Sequence, residues 1–294
     1  RGAGRPEAVY VTERLVHVAA RELGMDPAEL RRRNQIDPEE FPYETPVGAT
    51  YDSGDYETGL DEALDAADYE ALRERPDRDG EGRYLGVGIG SYVESTGGGH
   101  ESGVVRVHPD GSVAVAAGTH SHGQGHGTTY AQIVADVLPV GYDDVDVSEG
   151  DSDATPTGTG TFGSRSTITG GNAVAESARE VREKARVIAA DRLEAAPDDV
   201  VVDGTDFRVR GTDRTVAFAE VADAAYGWGV PEGVDPGLEA TTFFQQEDTA
   251  YSFGTHVVAV AVDPETGDVA VERYVALDDC GERVNPTIVE GQIE

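Results

Sequence analysis

Apolar residues recur at helical spacing over Pro6–Leu23, with Val9, Leu15, Val18, Ala19 and Leu23 on one face. Pro6 suits the first turn of that helix and Gly24 ends it. Asp26-Pro27 opens a short helix, Ala28–Arg33, and Asp37–Thr50 is a proline-rich connector. Ser53 or Asp55 is placed to cap a further helix through Leu72, and Arg75–Gly82 has the composition of a charged, flexible linker. From Tyr84 the period changes from helical to alternating. Leu85–Glu94 alternates as a strand, and Val104–His108 turns at Pro109-Asp110-Gly111 into Val113–Ala117, a strong hairpin pattern. A helix over Thr128–Leu138, a strand over Val145–Ser148 and a long helix from Asn172 to Ala195 follow. Asp199–Arg210 predicts a hairpin, Phe218–Ala225 a short helix, and His256–Val262 with Asp268–Leu277 a last hairpin. Strands and helices mix without strict alternation, so the expected fold class is α+β (mixed α/β). The linker places a boundary between residues 82 and 83.

Two glycine-rich turns run straight into helical patterns within Gly118–Ala175. The first, Gly123-Gln124-Gly125, precedes Thr128; the second, Gly158–Thr167, precedes Asn172. Glycine lets backbone approach a ligand, and a helix start offers unpaired N–H groups at the positive end of its dipole. Gln124 can donate and accept at once, or it can face solvent in an ordinary tight turn. Gly163-Ser164-Arg165-Ser166-Thr167 gathers three hydroxyls and a guanidinium, which can serve an anion or merely cap a helix. The phosphate loop ending in Gly-Lys-Ser/Thr is absent, and so is a GxGxxG in the Rossmann order.

Charge narrows the partners. The chain holds 57 acidic against 23 basic residues, a net −34, and Lys184 is its one lysine. A nucleic-acid or anionic-membrane partner would need a basic surface, so neither is expected. Periodic Val/Ala/Gly segments along the chain argue for a folded protein with an acidic shell, as in proteins of a high-salt cytoplasm. Cys280 stands alone, which excludes a disulfide framework, a CxxC zinc site and an iron–sulfur cluster held by this chain. No apolar run has the length of a membrane span. His120, His122 and His126 lack the companions and helical spacing of a zinc site, and Asp143–Asp153 lacks the order of an EF-hand. Both ends break off mid-pattern, so a piece of a longer polypeptide is expected.

Four stretches together resemble the molybdopterin-binding large subunit of the xanthine dehydrogenase, aldehyde oxidase and aerobic-type carbon monoxide dehydrogenase family. They are Arg1–Glu7, Gly123–His126, Gly160–Thr167, and Asp279-Cys280-Gly281 with Asn285-Pro286 and Glu290-Gly291-Gln292. The resemblance runs over the whole chain in the same order. It implies two molybdopterin-binding-type domains. The first is only partly present, as residues 1–82 with the linker, and the second, residues 83–294, is cut short at its C-terminus. It also implies a molybdenum–molybdopterin cofactor in the cytosine dinucleotide form. Arg1 would stand beside the molybdenum, and Gln124 with the backbone of His122 and Gly123 would meet the metal-binding end of the pterin. Gly163, Ser164, Ser166 and Thr167 would line the pterin and its phosphate, and Gln292 would touch the cofactor. No protein side chain is expected to bind the metal directly.

The family reaction is hydroxylation with oxygen from water, with electrons leaving through iron–sulfur clusters to FAD. The resemblance therefore implies an iron–sulfur subunit and an FAD subunit as partners, a dimer of heterotrimers, and a cytoplasmic enzyme. The family's catalytic glutamate lies in a GxGE-type motif expected beyond Glu294. Glu94 and Glu290 match no such motif, and no catalytic residue is assigned. Copper-dependent carbon monoxide dehydrogenases carry Cys directly after the arginine, where this chain has Gly2; purine hydroxylases carry Phe where it has Ala3. Gly2 and Ala3 thus imply an open substrate pocket for an aldehyde or an N-heterocycle. The rival expectations are a non-catalytic remnant that binds a pterin or another anion, and a halophilic solute-binding protein.

Overall fold

The computed structural model describes residues 2–227 and 230–294. The fold mixes helices and sheets in two compact units. Residues up to Thr96 join Thr249–Glu282 in the first, and Gly97–Asp248 joins Arg283–Gln292 in the second. In chain order the first unit begins with α1 (Arg5–Leu23), α2 (Pro27–Arg32), a two-stranded ribbon of β1 (Tyr43–Glu44) and β2 (Thr50–Tyr51), α3 (Tyr56–Ala67), α4 (Tyr69–Arg73) and β3 (Tyr84–Ser95). The second unit carries β4 (His100–Val107), β5 (Val113–Ala117), α5 (His126–Val137), β6 (Val145–Glu149) and α6 (Asn172–Arg192). It continues through β7 (Val200–Asp203), β8 (Asp206–Val209), β9 (Thr215–Ala217), α7 (Phe218–Tyr226) and β10 (Leu238–Gln245). The chain then returns to the first unit for β11 (Tyr251–Val262) and β12 (Val269–Asp279), and ends in α8 (Pro286–Ile293).

The first unit is built on an antiparallel sheet of order β12-β11-β3. Leu60, Ala63 and Leu64 of α3 bury against Ile89 and Val257, with Val275 and Leu277 alongside. Asp55 caps α3 by accepting the Thr58 N–H at 3.2 Å. The helix expected through Leu72 is interrupted: Asp68 takes a left-handed φ of 55°, which closes α3 and turns Tyr69 into the core. Glu13 of α1 and Arg31 of α2 form a buried ion pair at 2.7 Å. The same carboxylate accepts the Ser91 N–H at 2.8 Å, and Arg31 donates to the Ile89 carbonyl at 3.2 Å. Those two backbone groups belong to β3, a terminal strand of its sheet, so the ion pair covers part of an edge.

The segment expected as a flexible linker is an ordered turn. Asp79 accepts the Glu81 and Arg83 N–H groups and binds the Arg83 guanidinium at 2.7 Å; these bonds outweigh its partial desolvation and hold its carboxyl below the ordinary value. The compact units also divide the chain elsewhere than at residues 82/83. β3 pairs along its whole length with β11 and so belongs to the first unit.

The second unit holds a four-stranded sheet, β10-β4-β5-β6, with a small sheet β7-β8-β9 beside it. β10, β4 and β5 are antiparallel; β5 and β6 are parallel and joined through α5. The expected hairpin between β4 and β5 is present, with Gly111 at φ 90° and its N–H donating to the His108 carbonyl at 2.9 Å. Val105, Val107, Val113 and Val115 are all but fully buried, against Val134 of α5 and Val174, Val181 and Ile188 of α6. Each such side chain contributes about 1.5–3 kcal/mol by leaving water. Gly103 lets α6 approach β4 closely, since a Cβ there would stand 2.6 Å from the Val174 nitrogen. Ser177 then bridges the seam, donating to the Gly103 carbonyl at 2.8 Å and meeting Thr242 of β10 at 2.9 Å.

Candidate functional site

β5 and β6 run parallel and end side by side, with Ala117 opposite Glu149. In open sheets with a parallel pair, ligands bind beyond the carboxyl ends of the strands. Both glycine-rich turns leave this edge: one connects β5 to α5, the other follows β6 and leads into α6. The whole constellation lies in the second unit.

The first turn places Gly123 at φ 97° and Gly125 at φ 82°. No side chain caps α5, so its first N–H groups open toward the turn. Gln124 is held at both ends of its amide. Its Oε1 accepts the His122 N–H at 2.6 Å, and its Nε2 meets His126 Nε2 at 2.8 Å. Because the oxygen is already committed, the amide nitrogen must donate, and the ring nitrogen it meets must be the acceptor. A neutral His126 ring therefore carries its proton on Nδ1, which faces Glu149 Oε1 at 2.8 Å.

Thr119 donates to the same Glu149 oxygen at 2.5 Å. Burial alone would push the Glu149 carboxyl up, but the bonds from His126 and Thr119 outweigh it and hold it below its ordinary value. Tyr130, itself pushed strongly upward by burial, shares its one O–H proton between the Thr119 oxygen at 2.9 Å and the Ser166 carbonyl at 3.1 Å, since the Thr119 proton is spent on Glu149. A single buried chain, Gln124–His126–Glu149–Thr119–Tyr130–Ser166, thus ties the first turn to the second.

In the second turn Gly163 and Ser164 take left-handed φ values of 57° and 58°. A π-helical turn, Ser166–Gly171, then leads into α6, a departure from α geometry that is common beside ligand sites. Ser164 and Thr167 are exposed. Ser166 is turned inward, its hydroxyl donating to Thr161 at 3.0 Å. The guanidinium offered by sequence as an anion ligand is not available. Arg165 is fully buried and paired with Glu101, and it also donates to the carbonyls of Gly98, His100 and Gly160 at 3.0, 2.8 and 2.6 Å. Glu101 in turn accepts the Thr159 and Gly160 N–H groups at 3.0 and 3.1 Å. The pair shapes the turn from beneath.

A third segment joins them. Asn285 caps α8 and donates to Gln132 of α5 at 2.8 Å, and Ile288 packs so closely on Gly125 that a Cβ there would stand 2.8 Å from its methyl. Gln292 lies exposed in the last turn of α8. The donors left facing outward are neutral: backbone N–H groups, the Ser164 and Thr167 hydroxyls and the Gln124 amide. The Arg165 and Glu101 charges are buried and paired, and the Glu149 carboxylate is buried and hydrogen-bonded by Thr119 and His126. That set fits a pterin dinucleotide, whose ring edges and phosphates accept from dipoles without requiring a cation. Among the described residues no group of three His, Cys, Asp or Glu side chains stands close enough to hold a metal ion.

Residues 62–294 match the model of the molybdopterin cofactor-binding domain, and residues 1–35 match a second model of the same description. The chain belongs to the molybdopterin cofactor-binding domain family. It is 43% identical to the carbon monoxide dehydrogenase large chain of Hydrogenophaga pseudoflava, over 98% of this chain and 38% of that protein. It is 37% identical to the nicotine 6-hydroxylase large subunit of Paenarthrobacter nicotinovorans, over 100% of this chain and 38% of that one. A reconstituted CO dehydrogenase from Oligotropha carboxidovorans superposes with a TM-score of 0.90 at 40% identity, covering 98% of this chain and 38% of that chain. The chain thus spans well under half the length of these relatives.

Of the residues expected from the resemblance, this molybdopterin-binding chain brings His122, Gly123, Gln124, Gly163, Ser164, Ser166 and Thr167 to one sheet edge. Gln292 lies on the helix that packs against the first turn. Arg1 lies outside the described residues. Gly2 and Ala3 belong to the first unit, with φ values of 86° and 46°, in the turn that opens α1. Glu94 pairs with Arg5 at 3.1 Å and Glu290 with Arg283 at 3.8 Å. His126 entered the sequence reading as one of three histidines short of a zinc site and as the end of the Gly123–His126 stretch, and Glu149 was assigned no role. The parallel register of β5 and β6 is the signal that pairs them.

Proposed function

We propose that this chain holds the molybdenum–molybdopterin cofactor of a molybdenum hydroxylase, in the cytosine dinucleotide form. Residues 1–82 belong to the first cofactor-binding domain and 83–294 to the second, a division along the sequence that does not coincide with the two compact units. Gln124 and the backbone of His122 and Gly123 meet the metal-binding end of the pterin, and Arg1 stands beside the metal. Gly163, Ser164 and Thr167 line the pterin and its phosphate, with Ser166 beneath them and Gln292 approaching from α8. When bound, the cofactor supplies a two-electron redox centre. The protein's part is to orient it and to offer neutral donors. The observation that carries this reading is the convergence of both glycine-rich turns on the carboxyl ends of β5 and β6, tied by one hydrogen-bonded chain.

The complete enzyme hydroxylates an aldehyde or an N-heterocycle with oxygen from water. It passes the electrons to an iron–sulfur subunit and an FAD subunit, as a dimer of heterotrimers in a salt-rich cytoplasm. Gly2, where copper-dependent relatives carry Cys, favours such substrates over carbon monoxide. The name of the nicotine hydroxylase relative supports the N-heterocycle. No residue of this chain is assigned as the general base.

In the assembled enzyme, Gln124→Ala should lower bound molybdenum or turnover by about 10–100-fold, the usual cost of losing a group that orients a metal site. Parent-like metal content together with parent-like turnover would overturn the site assignment. A panel of aldehydes and N-heterocycles, assayed by dye reduction in high salt, then identifies the substrate class.

A further inference from the structure

Gln124 has one amide oxygen and two N–H groups. The oxygen is taken by the His122 N–H and one N–H by His126 Nε2, so one N–H remains unspent. That arrangement holds only while His126 accepts at Nε2. A ring protonated at Nε2 would set donor against donor and turn the amide over. The residue that prevents this is Glu149, 8% exposed in its side chain, whose Oε1 accepts from His126 Nδ1 at 2.8 Å. Glu149 is itself fixed by the Thr119 hydroxyl, and Thr119 touches the buried Tyr130. His126 is 7% exposed and is the first residue of α5, so the ring has little freedom to reorient.

We infer that His126 is a positioning residue for the bound cofactor: Glu149 selects its Nδ1–H tautomer, that tautomer fixes the Gln124 amide, and the remaining Gln124 N–H is presented as a donor to an oxygen or sulfur atom of the cofactor. The inference rests on the reading of Gln124 as facing the molybdenum end. The competing role is simpler: His126 serves only as a brace that keeps Glu149 and the parallel strands in place.

Two near-isosteric substitutions separate these roles in the assembled enzyme. Asparagine places its amide where Nδ1 stood, so His126→Asn keeps a donor for Glu149 and loses the acceptor for Gln124. Glutamine places its amide where Nε2 stood, so His126→Gln keeps the acceptor and gives up the bond to Glu149. With His126 as a positioning residue, His126→Asn keeps a melting temperature near the parent's but lowers molybdenum per chain or kcat by about 10–100-fold. His126→Gln then retains molybdenum and kcat within about threefold of the parent, whatever its melting temperature. The reverse order, with Asn benign and Gln deficient, would overturn the inference, as would parent-like metal content and kcat in both.

Neutron diffraction from the unsubstituted enzyme tests the tautomer without any variant, and a deuteron on Nε2 in place of Nδ1 would also overturn it. An unsubstituted enzyme that purifies with pterin dinucleotide absent would instead count against the proposed function.

Discussion

Two buried carboxylates do different work in this site. Arg165 and Glu101 are wholly removed from water and shape the second turn through backbone carbonyls and N–H groups. Removing one partner leaves an uncompensated charge, so Arg165→Met should cost about 3–5 kcal/mol in denaturant unfolding. A loss under 1 kcal/mol would mean that the turn holds without the pair. Glu149 contributes through its proton affinity. Its carboxyl is held below the ordinary value of 4.5, so its stabilisation is complete above that pH and is lost as pH falls through the lower folded value. Melting temperature measured from pH 7 down to pH 3 should fall less steeply in Glu149→Gln than in the parent; parallel acid limbs would remove Glu149 as a cause. Gln124 was legible because a Gly-x-Gly turn announces itself over three residues. Glu149 lies 23 residues from His126, and nothing local marks it.

At the level of elements, periodicity located α5, α6 and the β4–β5 hairpin to within a few residues, since each buries a face strong enough to show in the sequence; it located α1 as well, although Ala20 is the one buried residue of that helix and Leu15 and Leu23 stand exposed. It failed where tertiary contacts decide. Asp68 breaks a continuous helical pattern because Tyr69 gains burial by turning inward. β10 went unread although Leu238, Ala240 and Thr242 alternate inward, because two of those three are small or polar and pack on α6 and not on one another. Gly103 marks the same seam. Gly103→Ala should destabilise the second unit by about 1–3 kcal/mol through overpacking, with displacement of the start of α6. Unfolding monitored by urea titration checks this, and an unchanged midpoint would show that helix and strand separate freely.

On the scale of the whole molecule, the −34 charge works against compaction unless ions screen it. Raising salt from 0.1 to 1 M shortens the screening length from about 10 to about 3 Å, so the melting temperature should climb with KCl over that range. A flat or falling curve would assign stability to the cores alone. One local exception to this acidity has a reach beyond its own unit. The Glu13–Arg31 pair occupies hydrogen-bonding groups of Ser91 and Ile89 on a strand whose stretch Tyr84–Val93 has no charged residue. It acts as a stopper against strand addition by a neighbouring molecule. Damage there would show first as concentration-dependent turbidity, in protein whose cofactor turns were still intact.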